Sequence, residues 1–175
     1  MSEDRADWRK LVRDVPDFPS PGILFKDIAP VLADSAALAA MTAEFVEVCR
    51  GERVDMVVAV EARGFILGAP VALALGAGFV PVRKPGKLPH LTRSVAYALE
   101  YGEAVLHMHL DALQPGDRVL IVDDVLATGG TVAATVALIR EAGAEPVAAA
   151  VLLEIAALGA RAVLAPLPVH VLLSV

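Results

Sequence analysis

At 175 residues the chain is long enough for one domain with a substantial core, and its single cysteine excludes an internal disulfide. A formal net charge of −6 argues against general nucleic-acid binding, which needs a basic face. The hydrophobic fraction is 57%, much of it alanine, and no apolar run approaches the roughly 18 residues of a membrane span. The charged opening Met1-Ser2-Glu3-Asp4-Arg5 leads into no apolar stretch, so no signal peptide is expected. With Cys49 as the lone thiol, the expectation is a cytoplasmic protein with no membrane partner.

A short helix is expected over residues 6–12, with Trp8, Leu11 and Val12 on one side. Pro16, Pro19, Pro21 and Gly22 then interrupt regular structure. The segment 17–28 ends in a short apolar run, Ile23-Leu24-Phe25, whose plain reading is an edge strand with a buried Phe25. Leu38, Met41, Phe45 and Val48 fall at helical spacing and predict a helix over 35–50, capped by Asp34 or Ser35. Residues 56–60 form a continuous apolar strand that runs into Glu61-Ala62-Arg63-Gly64 and a helical pattern over 65–75. An arginine at a helix N-terminus opposes the dipole, which makes sense if Arg63 faces an anion or a polar ligand.

A third strand is expected over 78–82. Arg83-Lys84-Pro85-Gly86-Lys87-Leu88-Pro89 then sets three cations among breakers, either as a solvated mobile loop or as a lid that meets an anion. Two further strands meet at Gly102. His107 and His109 share a face of the second, but no third metal ligand is near in sequence.

Residues 119–131, Val-Leu-Ile-Val-Asp-Asp-Val-Leu-Ala-Thr-Gly-Gly-Thr, organise the rest. Four apolar residues without alternation predict a strand buried on both faces, as in a parallel sheet. Asp123 and Asp124 follow at its C-terminal end, then the loop Ala127-Thr128-Gly129-Gly130-Thr131 and a helix carrying Val132, Val136 and Ile139, with Gly143 as its stop. Glycines let backbone N–H groups approach a ligand, and a helix N-terminus favours an anion such as phosphate. Two carboxylates beside it would repel a bare phosphate but suit the vicinal hydroxyls of a ribose. The stretch therefore reads as a ribose-5-phosphate cradle. No Gly-Lys-Ser/Thr follows, and the G-x-G-x-x-G spacing is absent, so neither a Walker loop nor a dinucleotide fingerprint is present. A strand over 146–153, a helix over 156–164 and a strand over 169–173 complete the chain, with Glu154 and Arg161 assigned to structure or a subunit contact. Alternating strands and helices predict an α/β fold with a largely parallel sheet.

The 119–131 stretch resembles the phosphoribosyl-pyrophosphate (PRPP) signature of type I phosphoribosyltransferases. The resemblance extends over about residues 14–173 and is nearest to the adenine-type members. It rests on the Asp17-to-Ile28 segment, the Glu61-Ala62-Arg63-Gly64 loop, Arg-Lys-x-Gly-Lys-Leu-Pro, Leu99-Glu100-Tyr101-Gly102 and the signature itself, all in family order. It implies one phosphoribosyltransferase domain over 1–175, with an N-terminal hood over 1–34 and a flexible loop and flap over 83–103. The reaction implied is adenine plus PRPP giving AMP and pyrophosphate, with Mg²⁺ held mainly by PRPP oxygens, in a homodimer.

Residue by residue, the resemblance assigns Asp123 and Asp124 to the ribose hydroxyls and Ala127, Thr128, Gly129, Gly130 and Thr131 to the 5-phosphate. Glu61, Ala62, Arg63, Arg83, Lys84 and Lys87 fall to pyrophosphate, and Leu24, Phe25, Lys26 and Val125 to the base. Glu100 is the candidate for the base proton, Tyr101 orders the flap, and Arg63 joins them as catalytic. A non-proline cis peptide is expected at Glu61–Ala62. Lys26 stands where many relatives carry Arg, and Val125 replaces a common Leu. A phosphoribosyltransferase for another purine base, or a non-catalytic PRPP sensor that binds RNA or DNA, are the alternative readings.

Overall fold

The computed structural model describes residues 7–98 and 102–175. Two compact units divide the chain, one ending at Glu44 and the other running from Phe45 to Val175. The boundary falls inside the helix over Ser35–Val48.

In the first unit, a 3₁₀ turn (Trp8–Leu11) precedes the antiparallel strands β1 (Arg13–Pro16) and β2 (Leu24–Asp27) and the short helix α1 (Ala29–Ala33). The turn is tighter and shorter than the expected helix. Trp8 is buried, and its indole N–H donates to Glu44 Oε2 at 2.8 Å. Helix α2 (Ser35–Val48) follows, and Asp34 is the cap, its Oδ1 accepting the Ala37 N–H at 2.8 Å.

The second unit is built on β3 (Met56–Val60), α3 (Arg63–Leu75), β4 (Gly78–Val82), β5 (Thr92–Ala98), β6 (Glu103–His109), β7 (Arg118–Leu126), α4 (Gly130–Glu141), β8 (Glu145–Glu154), α5 (Ala160–Leu164) and β9 (Val169–Ser174). Five strands form one parallel sheet in the order β4-β3-β7-β8-β9, and β5 and β6 form a separate antiparallel hairpin. This is the α/β architecture with a parallel sheet that the alternation predicts. Val57, Val58, Leu120, Ile121, Ala149 and Ala150 are fully buried, because helices and the hairpin cover both faces of the central strands.

Two boundaries differ from expectation. Strand β7 does not stop before the acids but continues through Asp123 and Asp124 to Leu126. The partner strand β8 is long enough to keep pairing, with Asp123 opposite Val151 and Leu126 opposite Glu154. The expected helix over 156–164 is split into a 3₁₀ turn (Ala156–Leu158) and α5, because Gly159 sits at φ 67° and breaks the ladder. Among the described residues no helix is long and apolar enough to cross a membrane.

Candidate active site

Strands β3 and β7 are parallel neighbours, with Val58 opposite Ile121, so the loops that leave their C-terminal ends open on the same edge of the sheet. Each loop enters a helix. The two loops are chemically unlike.

After β7, residues 125–132 wall a small cavity of about 60 Å³. Gly129 lies at φ 89°, and α4 begins at Gly130 with no side-chain cap. The first helical bond is donated by Ala133 to the Gly129 carbonyl at 2.9 Å, so the N–H groups of Gly130, Thr131 and Val132 precede the ladder. They line a concavity that suits an anion, and the helix dipole adds to it. Gly129 is also closely backed: a Cβ there would lie 3.3 Å from the Cβ and the carbonyl of Ala160. Ala160 opens α5, and the ion pair between Arg161 and Glu154 holds that region, with Nε 2.9 Å from Oε1. Arg161 Nη1 also donates to the Val169 carbonyl at 3.1 Å. This pair joins the end of β8 to α5, which is the structural alternative foreseen for it.

One contact was not legible in the sequence. Tyr97, near the end of β5, packs on the start of α4: a Cβ on Gly130 would lie 3.3 Å from Tyr97 Cδ2. Its hydroxyl is 3.3 Å from Thr131 Oγ1. The only local signal was an aromatic in a strand, and nothing in the chain order tied it to Thr131.

The two acids of β7 have different surroundings. Asp123 is 7% exposed, and its Oδ1 accepts the Asp124 N–H at 2.9 Å. Burial, followed by the neighbouring Asp124 charge, pushes its carboxyl up to about 8, against smaller opposing effects that include Arg63. Gly64 allows this proximity, since a Cβ there would lie 3.0 Å from Asp123 Oδ1 and 3.2 Å from the Val122 carbonyl. Asp124 is half-buried and forms an ion pair with Arg63, whose Nε meets its Oδ2.

The β3 loop is the cationic one. The Glu61–Ala62 peptide is cis, as expected. Helix α3 starts at Arg63, two residues before the apolar pattern begins. Glu61 accepts from Arg83 Nε at 2.7 Å, and Arg83 also donates to the Lys87 carbonyl at 3.1 Å. The Arg83 guanidinium lies over Phe65, 5.8 Å from the ring centroid. Lys84, Lys87 and Ala62 are exposed. Thus Arg63 with Asp124 and Arg83 with Glu61 form two arginine–carboxylate pairs, and Asp123 is buried beside Asp124, while Lys84 and Lys87 form no ion pair among the described residues.

Leu24, Phe25 and Lys26 are in the first unit, on β2. Leu24 is exposed, Phe25 meets Phe18 edge to face at 5.1 Å, and Lys26 Nζ reaches Asp14 Oδ1 at 2.6 Å. Val125 and Ala127 are half-buried in the β7 loop and Thr128 is exposed. His107 and His109 are engaged within the hairpin region, with Thr92 Oγ1 at 2.9 Å and the Pro89 carbonyl at 2.6 Å respectively. Glu100 and Tyr101 lie outside the described residues.

Residues 27–162 match the phosphoribosyl transferase domain family. The chain is 59% identical over 169 residues to an adenine phosphoribosyltransferase of Nocardioides sp., covering 94% of this chain and 91% of that one. The crystal structure of adenine phosphoribosyltransferase from Thermoanaerobacter pseudethanolicus superposes with a TM-score of 0.93 at 45% identity, covering 95% and 97% of the two chains. That of the Saccharomyces cerevisiae enzyme, complexed with an imino-altritol bisphosphate and adenine, gives 0.88 at 35% identity, covering 94% and 96%. A β7–α4 phosphate-type loop beside an acidic pair, on a five-stranded parallel sheet, is thus found in a chain that belongs to the phosphoribosyltransferase family, type I fold.

Proposed function

We propose that this chain transfers the 5-phosphoribosyl group from PRPP to adenine, releasing AMP and pyrophosphate, as a step of purine salvage. The observation that carries the reading is the cavity walled by residues 125–132 at the open N-terminus of α4, with Asp123 and Asp124 on the strand that leads into it. A phosphate in that loop receives backbone N–H groups and the Thr128 and Thr131 hydroxyls. The sugar it carries then lies toward the acids, whose carboxyl oxygens accept from vicinal hydroxyls.

The reaction separates a sugar carbon bearing partial positive charge from a pyrophosphate. Positioning and electrostatics supply most of the catalysis in such a step. Arg63 and Arg83 are paired with Asp124 and Glu61, which supports giving them this role. As pyrophosphate charge develops, those guanidiniums can share their donors with it, and Lys84 and Lys87 add mobile positive charge. Ala62 contributes backbone in the same loop. Leu24, Phe25, Lys26 and Val125 are assigned to the base, Glu100 to its proton and Tyr101 to the order of the flap.

Mg²⁺ fits as the companion of PRPP, since it favours phosphate oxygens and retains waters. The hard-oxygen groups nearby are Asp123, Asp124 and Glu61, of which the last two are paired with arginines, so the ion would be held mainly by PRPP. When bound it supplies charge neutralisation to the leaving pyrophosphate. A homodimer and a cytoplasmic location complete the proposal, the latter in keeping with a single cysteine and so no internal disulfide.

The test is incubation with PRPP, Mg²⁺ and each purine base in turn, with nucleotides resolved by chromatography. AMP from adenine alone is the expected result. Product from another base would replace the specificity and keep the mechanism. Tight PRPP binding with no product from any base would overturn catalysis in favour of a PRPP sensor.

A further inference from the structure

We propose that Tyr97 is a positioning residue for the phosphate loop: its phenol donates to Thr131 Oγ1 and so aims the Thr131 hydroxyl proton at the bound 5-phosphate. The inference rests on the assignment of the β7–α4 loop to that phosphate. A threonine hydroxyl has one proton and can point it in several staggered directions. At the N-terminus of a helix it has a competing use, since it can turn back toward a local carbonyl. An incoming hydrogen bond on Oγ1 occupies the oxygen as acceptor and leaves its proton for another partner. Tyr97 supplies that bond from a different element, with its oxygen 3.3 Å from Oγ1.

One feature favours this direction of donation, and two others fix the geometry of the contact. A phenol is a more acidic donor than an aliphatic hydroxyl, so the favoured arrangement is Tyr97 O–H to Thr131. The Thr131 carbonyl is already used, accepting the Thr135 hydroxyl at 2.8 Å, and Thr135 is fully buried, so the first turn of α4 is fixed beneath the hydroxyl. The Tyr97 ring is itself held close to Gly130, where a Cβ would lie 3.3 Å from Cδ2 and 3.5 Å from the Ala98 carbonyl. Glycine at 130 therefore serves two ends: it leaves the N–H groups open to the anion, and it lets the tyrosine approach near enough to reach Thr131.

The experiment is a double-substitution cycle with the full chain. Wild type, Tyr97→Phe, Thr131→Val and the double variant are compared for ribose 5-phosphate and PRPP binding by calorimetry, for KM and kcat, and for thermal midpoint. Tyr97→Phe keeps the ring on Gly130 and loses only the hydroxyl. It should weaken both phosphate ligands about three- to tenfold, the size of one neutral hydrogen bond, with kcat at saturating PRPP and the KM for adenine within twofold. In the Thr131→Val background the same change should add less than twofold. In the Thr131→Ser background, which restores a hydroxyl, the sensitivity should return. Equal effects of Tyr97→Phe in the wild-type and valine backgrounds would overturn the proposal, as would no effect in wild type. A wild-type chain that binds neither ligand would instead overturn the phosphate assignment and this role with it.

Discussion

The β7–α4 and β3–α3 loops have the same topology and neighbouring places on the sheet, yet opposite electrostatic designs. The β7 loop carries no cation. It offers backbone N–H groups, two threonine hydroxyls and the end of a helix dipole, and glycines keep it open. The β3 loop puts Arg63 at the start of its helix, against the dipole, and holds it to Asp124, while Glu61 holds Arg83. A group that stays bound through the reaction can be held by fixed neutral donors. A group whose charge grows as it leaves is better met by cations whose carboxylate partners can give way. The difference implies that damage to the first loop should appear as lost PRPP binding, and damage to the paired ions as lost rate.

The comparison breaks most readily at Gly129. Gly129→Ala forces a Cβ into a left-handed backbone and against Ala160, displacing the loop. A misplacement of that kind should reduce kcat/KM for PRPP about a hundredfold, with the KM for adenine little changed. Steady-state kinetics with both substrates varied checks this, and near-wild-type constants would mean that the cavity is not the phosphate site.

Asp124→Asn sharpens the second half. It removes a ribose acceptor and the partner of Arg63 together, so kcat/KM for PRPP should fall at least about tenfold, equivalent to about 1.4 kcal/mol or more. Unchanged kinetics would refute the ribose contact.

The smallest effect is on stability and concerns Asp123. In an unfolded chain an aspartate ionises near pH ~3.9, whereas in the fold Asp123 keeps its proton up to about 8. Between those limits the folded state binds more protons, so this group makes stability fall as pH rises through the window. Asp123→Asn removes that dependence. The variant should gain on wild type progressively from pH 5 to 8, by at least about 3 °C in thermal midpoint at the upper end, where about 1 kcal/mol corresponds to about 2–4 °C. Thermal scans of both proteins across that range test it, and parallel curves would show that Asp123 is ionised throughout.

Much of the site was legible because its chemistry is local. The buried strand, the acids, the glycine loop and the helix start are consecutive, and each follows from apolar runs, φ requirements and helix ends. Arg63 stood out by opposing a dipole. The Asp124–Arg63 and Glu61–Arg83 pairs were not legible, since they join residues from different strands and depend on register. Tyr97 illustrates the same limit more sharply: its partner Thr131 is reached only because the hairpin covers the start of α4.

The sequence by itself determined the α/β alternation, the buried strands, a helix start at Asp34 or Ser35 and the composition of the phosphate loop, because hydrophobic period and backbone stereochemistry act over a few residues. Only the tertiary structure decided that β7 runs on through its acids, that Gly159 splits the helix after β8, and that Asp123 is buried and resists ionisation while Asp124 is paired. The reason is physical: where a strand ends depends on whether its neighbour still offers hydrogen bonds, and how a carboxyl ionises depends on the water and charge that distant segments leave around it.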